Sequence, residues 1–153
     1  MTFAFQSGRP IDLHSTNLPG VNFEDIRLTA GNIRNVKWRR TILKRADLTD
    51  AIATEANFTG ADLREAKLIR TDLQRAILVD TDLRRANLTD ANLDGADLSS
   101  ADLRGAKVTV EQLALATVSP ETELPAGITH AAVAAAKAAR RDLPEGAIAS
   151  PAP

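Results

Sequence analysis

The chain has 153 residues, a formal net charge of −1 and no cysteine. The lack of cysteine excludes a disulfide framework, a thiolate metal site and thiol redox chemistry. The length predicts one domain with short appendages, and the 3% aromatic content favours a narrow core filled with leucine over an ordinary globular core.

The first element in chain order is a predicted N-terminal cap over residues 1–11, in which Phe3 and Phe5 are candidate plugs for the repeat that follows. The segment 1–10 lacks the basic start and the apolar run of a secretion signal. No stretch of the sequence approaches the length of a membrane span. We therefore expect a cytoplasmic protein that has no membrane segment.

Residues 12–108 repeat with a period of five. An apolar residue stands at every fifth position from Leu13 to Leu113, and a small residue, mostly alanine, stands two positions before it. A period of five matches neither a helix nor a plain strand, so the repeat itself must define the fold. Both sets are predicted to point inward, the small residue allowing a tight corner. Ala53 is the weak member of the large set, and we expect Ile52 to turn inward and make this unit deviate.

Units such as Ala61-Asp62-Leu63-Arg64-Glu65 and Ala91-Asn92-Leu93-Asp94-Gly95 resemble the A-(D/N)-L-x-x unit of the pentapeptide-repeat family. The resemblance implies an all-β solenoid, a right-handed quadrilateral β-helix with four units per coil. Residues 12–108 would then form about five coils, with the residues twenty apart stacked in columns.

Residues 109–143 are predicted to form a C-terminal helical cap. Thr109 and Gln112 make a capping-box pattern that begins a short helix ending near Ala116. Thr129 can cap a second, alanine-rich helix that continues to Arg141. This helix either packs on its own chain or forms a homodimer contact, as the resemblance implies for some family members. Residues 144–153 are rich in small residues and proline and are predicted to be a flexible tail.

Charge is unevenly distributed along the repeat. Between residues 26 and 46 there are seven bases and no acids. This basic belt consists of Arg27, Arg34, Lys37, Arg39, Arg40, Lys44 and Arg45. Residues 47–103 contain twelve acids and six bases, so the rod is predicted to be basic near its N-terminal end and acidic beyond it.

Two further sets of outward residues are candidates for partner binding. Asp62, Asp82 and Asp102 precede the inward leucines of one face, and Arg64, Arg84 and Arg104 follow them. Such columns are expected to neutralise each other, with each exposed pair worth about 0–1 kcal/mol. The other set is apolar and consists of Ile69, Ile77 and Val79, which could mark a contact with a partner.

The sequence contains no catalytic, cofactor-binding or metal-binding pattern. His14 and His130 have no carboxylates or thiols at the spacing of metal ligands. A rod whose interior is packed with leucine offers no cleft in which a carboxyl pKa could be shifted. We therefore predict a protein that is not an enzyme and needs no cofactor.

Three functions are compatible with these features. The leading hypothesis is a rigid module for protein–protein interaction. The second is implied by the family resemblance, namely a DNA mimic that binds DNA gyrase and gives quinolone resistance, although the basic belt and the net charge of −1 argue against it. The third is nucleic-acid binding through the basic belt, where Trp38 is predicted to point inward and so could not stack on bases.

Overall fold

Parallel bridges between residues twenty apart hold the repeat together. The structure is a computed structural model that describes residues 10–141. Each bridge joins a residue to the one directly above it, from Asp12↔Asn32 near the start to Asp97↔Thr117 near the end. The chain therefore forms a four-sided β-helix in which one coil takes four units of five residues. Within the described range each side contributes a single bridging residue rather than a longer strand.

The bridging residues define four faces, which we number in chain order. Face 1 contains Asp12, Asn32, Ile52, Asp72 and Asn92. Face 2 contains Asn17, Lys37, Asn57, Ile77, Asp97 and Thr117. Face 3 contains Asn22, Ile42, Asp62, Asp82, Asp102 and Glu123. Face 4 contains Arg27, Asp47, Lys67, Asn87 and Lys107.

The interior is packed by the two predicted inward sets. From Leu28 to Leu103 the large residue of every unit is fully buried. From Gly31 to Ala101 the residue two positions before it is buried as well. Buried threonines in the small slot satisfy their hydroxyl groups, as when Thr71 Oγ1 donates to the Leu48 carbonyl at 2.8 Å. The single tryptophan, Trp38, is fully buried and its Nε1 donates to Thr16 Oγ1 at 3.0 Å. The predicted inward position of Trp38 is confirmed.

The corners share one backbone conformation. The residue two positions after each inward leucine has a positive φ, at nineteen consecutive units from Ser15 to Gly105, of which only four are glycine. Each corner is a four-residue turn that begins at the inward leucine and has the positive φ at its third residue. A backbone bond closes the turn, for example from the Ala46 N–H to the Leu43 carbonyl at 3.0 Å. The small inward residue is the fourth residue of this turn and donates the N–H that closes it. This repeated turn limits each side to one bridging residue.

The aspartate or asparagine before the inward leucine supports the same turn. Its Oδ1 accepts the N–H of the residue two positions later, as in the 3.1 Å bond from Arg64 to Asp62 and the 3.0 Å bond from Thr59 to Asn57. This is the Asx-turn geometry. The acidic slot of the repeat is thus partly a structural requirement, a role that the sequence analysis missed.

The prediction for the unit containing Ala53 was wrong. Ile52 stays outside with 37% of its surface exposed, while Ala53 is buried. The Ile52 N–H donates to the Gly31 carbonyl at 2.9 Å and its carbonyl accepts from Ile33 at 2.8 Å, so turning the side chain inward would break both inter-coil bonds. The next inward residue, Phe58, supplies a larger side chain and meets Trp38 edge-on, with the ring centroids 6.2 Å apart.

Two helices close the C-terminal end. Helix α1 spans Val110–Leu115 and begins with the predicted capping box between Thr109 and Gln112. The Gln112 side chain also donates to two carbonyls of the coil below, Leu88 at 2.7 Å and Ala91 at 2.9 Å. Helix α2 spans His130–Arg141, as predicted. Between residues 10 and 141 neither helix is long and apolar enough to cross a membrane.

Helix α2 packs on its own chain. Val133 is buried, and Lys137 Nζ donates to the Ala116 carbonyl at 3.1 Å. The intramolecular alternative of the sequence analysis is thus the one seen here. The predicted domain limits stay predictions, and the proposed plugs Phe3 and Phe5 and the tail at 144–153 lie outside the described residues.

Replacement of Leu78 by alanine should destabilise the rod by about 2–5 kcal/mol, because it leaves a cavity in a fully packed interior. Its neighbour Ile77 is 39% exposed, so Ile77→Ala should change stability by less than about 0.5 kcal/mol. Urea unfolding followed by Trp38 fluorescence measures both. Equal losses in the two variants would contradict the assignment of inward and outward slots.

Candidate interaction surface

Face 3 carries an aspartate–arginine ladder, formed by Asp62, Asp82, Asp102, Arg64, Arg84 and Arg104. Each arginine binds the aspartate of its own unit, as in the 2.6 Å contact between Arg64 Nη2 and Asp62 Oδ2. Arg64 also approaches the aspartate one coil higher, with 3.6 Å between Arg64 Nε and Asp82 Oδ2. The same pattern links Arg84 to Asp82 and Asp102. The predicted mutual neutralisation of the two columns is seen directly.

The ladder changes the protonation of its acids. Hydrogen bonds from Arg64 hold the pKa of Asp62 below its usual range, and Arg104 does the same to the pKa of Asp102. Because Asp62 Oδ1 also accepts a backbone N–H, its oxygen atoms are occupied by its own chain. The predicted partner-binding aspartates are therefore half-buried and committed to internal bonds.

The seven bases of the basic belt fall into two groups, those that lie next to acids and those that do not. Arg45 binds Asp25 of the coil below through two bonds of 2.7 Å, and also Glu24 at 3.0 Å. Lys44 approaches Glu24 at 3.8 Å. Arg27 lies directly below Asp47 on face 4. Three of the seven predicted bases thus lie next to acids.

The remaining four bases form what we call the basic patch, on face 2 and at the two corners that border it. It consists of Arg34, Lys37, Arg39 and Arg40. All four are exposed, and none forms an ion pair with any residue between 10 and 141. Face 2 carries Asn17, Pro19 and Gly20 below the patch and Asn57, Thr59 and Gly60 above it. The basic patch is therefore an isolated group of four positive charges.

Unpaired acids occupy the upper part of the same two faces. Asp72 and Asp97 are bridging residues, or rungs, of faces 1 and 2. Asp80 and Asp94 stand at the corners beside these columns. Within the described part of the chain none of the four is in an ion pair; Asp94, for instance, accepts only a 3.3 Å bond from Gln74 among side chains. Faces 1 and 2 therefore keep charges of opposite sign at their two ends.

The predicted apolar contact residues do not form one surface. Ile77 is 39% exposed on face 2, and Val79 lies half-buried beside it. Ile69 is half-buried in the unit of Lys67, on face 4 at the opposite side of the coil. Only Ile77 and Val79 share a face with the basic patch, two coils above it.

A mostly apolar groove of about 330 Å³ lies between α2 and the last coil, lined by residues that include Val118, Pro120 and Val133. Its polar groups already have partners. His130 Nε2 lies 3.1 Å from the Ser119 carbonyl oxygen, and Lys137 donates to the Ala116 carbonyl. The groove thus presents no paired acid and base.

Comparison with known proteins places this geometry in a family. The family model described as pentapeptide repeats matches residues 41–78 and 66–105, with eight copies of the repeat. The chain is a pentapeptide-repeat protein. The inter-coil ladders extend the repeat beyond the matched part, to Asp12 and to Thr117.

Several solved structures of pentapeptide-repeat proteins are similar to the chain. A protein from the thylakoid lumen of Arabidopsis thaliana is 26% identical, with a TM-score of 0.44, over 71% of this chain and 61% of its own. A protein from Nostoc is 22% identical over 82% of this chain and 97% of its own, with a TM-score of 0.41. The chain thus spans 61% of the Arabidopsis protein.

QnrB1, a plasmid-mediated fluoroquinolone resistance protein, is 20% identical over 64% of this chain and 67% of its own, with a TM-score of 0.39. A search of curated proteins finds no match.

The aspartate–arginine ladder should make stability depend on pH below about pH 4. Since the pKa values of Asp62 and Asp102 are lowered by folding, the unfolded chain binds more protons in acid, and the contribution of the ladder is present above that pH and is lost as the pH falls. The double variant Arg64→Gln/Arg104→Gln should therefore lose less stability between pH 7 and pH 3 than the original protein does.

Urea unfolding at the two pH values measures this difference. Arg85→Gln is the matched control, because Arg85 is exposed and forms no ion pair within residues 10–141. At pH 7 each lost pair should cost less than about 1 kcal/mol. An acid-induced loss of the same size in the double variant and in the original protein would refute the assignment.

Proposed function

We propose that this pentapeptide-repeat protein is a non-enzymatic module that binds a protein partner through faces 1 and 2 of a rigid rod. The rod is taken to be a right-handed quadrilateral β-helix of about five coils, on the order of 25 Å long. The observation that supports the proposal is the uneven pairing of charge. On face 3 the aspartates and arginines of the ladder neutralise each other's charge. On faces 1 and 2, including their corners, four exposed bases and four acids have no ion pair among the described residues.

A rigid scaffold suits such a role. Every described inward slot from Leu28 to Leu103 is buried, so the outward side chains are held at fixed intervals of about 4.8 Å along the axis. Docking to a surface of this kind costs little ordering of the backbone. Binding at a cytoplasmic location and the absence of catalysis are parts of this proposal.

A partner should be recovered when the full chain is immobilised and exposed to native lysate at about 0.1 M salt, where surface charges still act over about 10 Å. Free protein added in excess should compete for the partner in a saturable way. The recovered protein should then bind the purified chain in a direct titration. If no protein is displaced by the free chain, the interaction module is refuted.

The second candidate is binding to DNA gyrase as a mimic of DNA. The observation that favours it is the group of unpaired acids Asp72, Asp80, Asp94 and Asp97, on the upper part of faces 1 and 2. A DNA duplex, however, carries about one negative charge per 1.7 Å of its axis, and the basic patch interrupts any acidic strip along these faces. We therefore rank this candidate below a partner of mixed charge.

A supercoiling assay with purified gyrase tests the second candidate. We expect no inhibition by the purified chain and no rescue of gyrase from a fluoroquinolone, because the basic patch would repel a surface that binds DNA phosphates. Asp80→Asn/Asp97→Asn serves as the control for any effect seen. Inhibition that disappears in this variant would establish gyrase as the partner and overturn our ranking.

A further inference from the structure

The basic patch has a geometry that selects among charged partners. Lys37 and Arg39 flank the inward Trp38 and are both exposed. Alternate Cα atoms of an extended backbone stand about 7 Å apart, so the two side chains leave the backbone at the spacing of alternate residues on one face of a partner strand, with Arg39 in the turn that follows Trp38. Arg40 follows at the corner, where its Cγ lies 3.4 Å from the position that a Cβ on Gly60 would take. The stem of Arg40 therefore lies against the coil above.

We propose, on the basis of the interaction function above, that the basic patch is the docking site for an extended acidic segment of a protein partner. In this segment carboxylates alternate with uncharged residues. Two of them would meet Lys37 and Arg39 on face 2, and a third would reach Arg34 across the corner.

The neighbouring rungs fit this assignment. Asn17 and Asn57, directly below and above Lys37, carry no charge, so within the described face 2 column no acid lies next to Lys37. Glu55, at the corner above Arg34, is paired with Arg75 at 3.4 Å. The NH2 groups of the two asparagines can donate hydrogen bonds, which suits the backbone carbonyls of an extended segment, whereas the Asn57 Oδ1 already accepts from Thr59. The nearest acid in the face 2 column is Asp97, three coils and about 14 Å above Lys37.

A nucleic acid fits less well. A duplex laid along the rod would pass from the basic patch to Asp80 and Asp97, which repel phosphates. Trp38 and Phe58 are fully buried, so neither can provide a stacking platform for the bases of a single strand. A second copy of the chain also fits poorly, because one face is about 10 Å wide and 25 Å long and would bury well under the roughly 800 Å² per partner of a stable interface.

The test uses the full chain and fluorescent peptides of equal composition. One peptide alternates glutamate and serine, and the other places its glutamates in one block. Fluorescence anisotropy should show that the alternating peptide binds more tightly and that the Kd rises as salt is added. In Lys37→Gln/Arg39→Gln the Kd should increase by about tenfold or more.

The matched control is Arg85→Gln/Lys107→Gln, which removes the same charge from exposed residues of faces 3 and 4 and should leave the Kd unchanged. Thermal unfolding by circular dichroism checks that both variants are folded. An equal loss of binding in both variants, equal Kd values for the two peptides, or no binding at all would overturn the proposal. So would tighter binding of a duplex DNA of equal charge, which would favour a nucleic-acid ligand instead.

Failure of this inference is distinguishable from failure of the interaction function. If Lys37→Gln/Arg39→Gln still captures the competitor-sensitive partner from lysate, the rod remains an interaction module, and its contact lies outside the basic patch. If neither the original chain nor the variant captures a partner, the function itself fails.

Discussion

The hydrogen bonds between successive coils are the constraint on which the rest of this molecule depends. In each unit from Asn32 to Leu88 the inward residue donates upward, as Leu43 N–H does to the Asp62 carbonyl at 2.7 Å. The bridging residue before it donates downward, as Asp62 N–H does to the Thr41 carbonyl at 3.0 Å. Because alternate residues point to opposite sides, a shift by one residue would exchange interior and exterior along a whole face. This register explains why Ile52 stays outside although Ala53 leaves the interior less filled.

The corners show what this register costs and how the cost is offset. A left-handed φ in a residue other than glycine is unfavourable by roughly 1–2 kcal/mol, and fifteen such residues occur in the described repeat. From Ser15 to Arg85 each corner N–H is bonded to a carbonyl of the coil above, as Asp50 N–H is to the Ile69 carbonyl at 3.0 Å. Many corners are also supported by an Asx bond, such as that from Thr49 N–H to Asp47 Oδ1 at 3.1 Å. The turn is thus stabilised by its neighbours rather than by local backbone preference.

Much of the fold could be predicted from the sequence because the period of five is expressed in side-chain size. That signal located the buried set, the inward Trp38 and both helices. The corners could not be predicted, because their slot holds five arginines, four aspartates and two glutamates beside four glycines, and only the backbone reveals the strain. The division of the basic belt was predictable in principle. Arg45 and Lys44 stand twenty positions after Asp25 and Glu24, but charges counted along the chain hide pairs that form along the columns.

The same reasoning indicates where the surface is free to serve a partner. At most rungs an aspartate or asparagine is needed for the turn, so its identity is explained by the fold. Lys37 and Ile77 replace that residue on face 2 and lose the Asx bond, and in the described structure neither gains an ion pair or burial in exchange. Lys67 on face 4 differs, because it approaches Asp47 at 3.7 Å. Residues that break a local structural rule without a compensating contact are expected at functional sites, and on face 2 they lie in the basic patch and two coils above it.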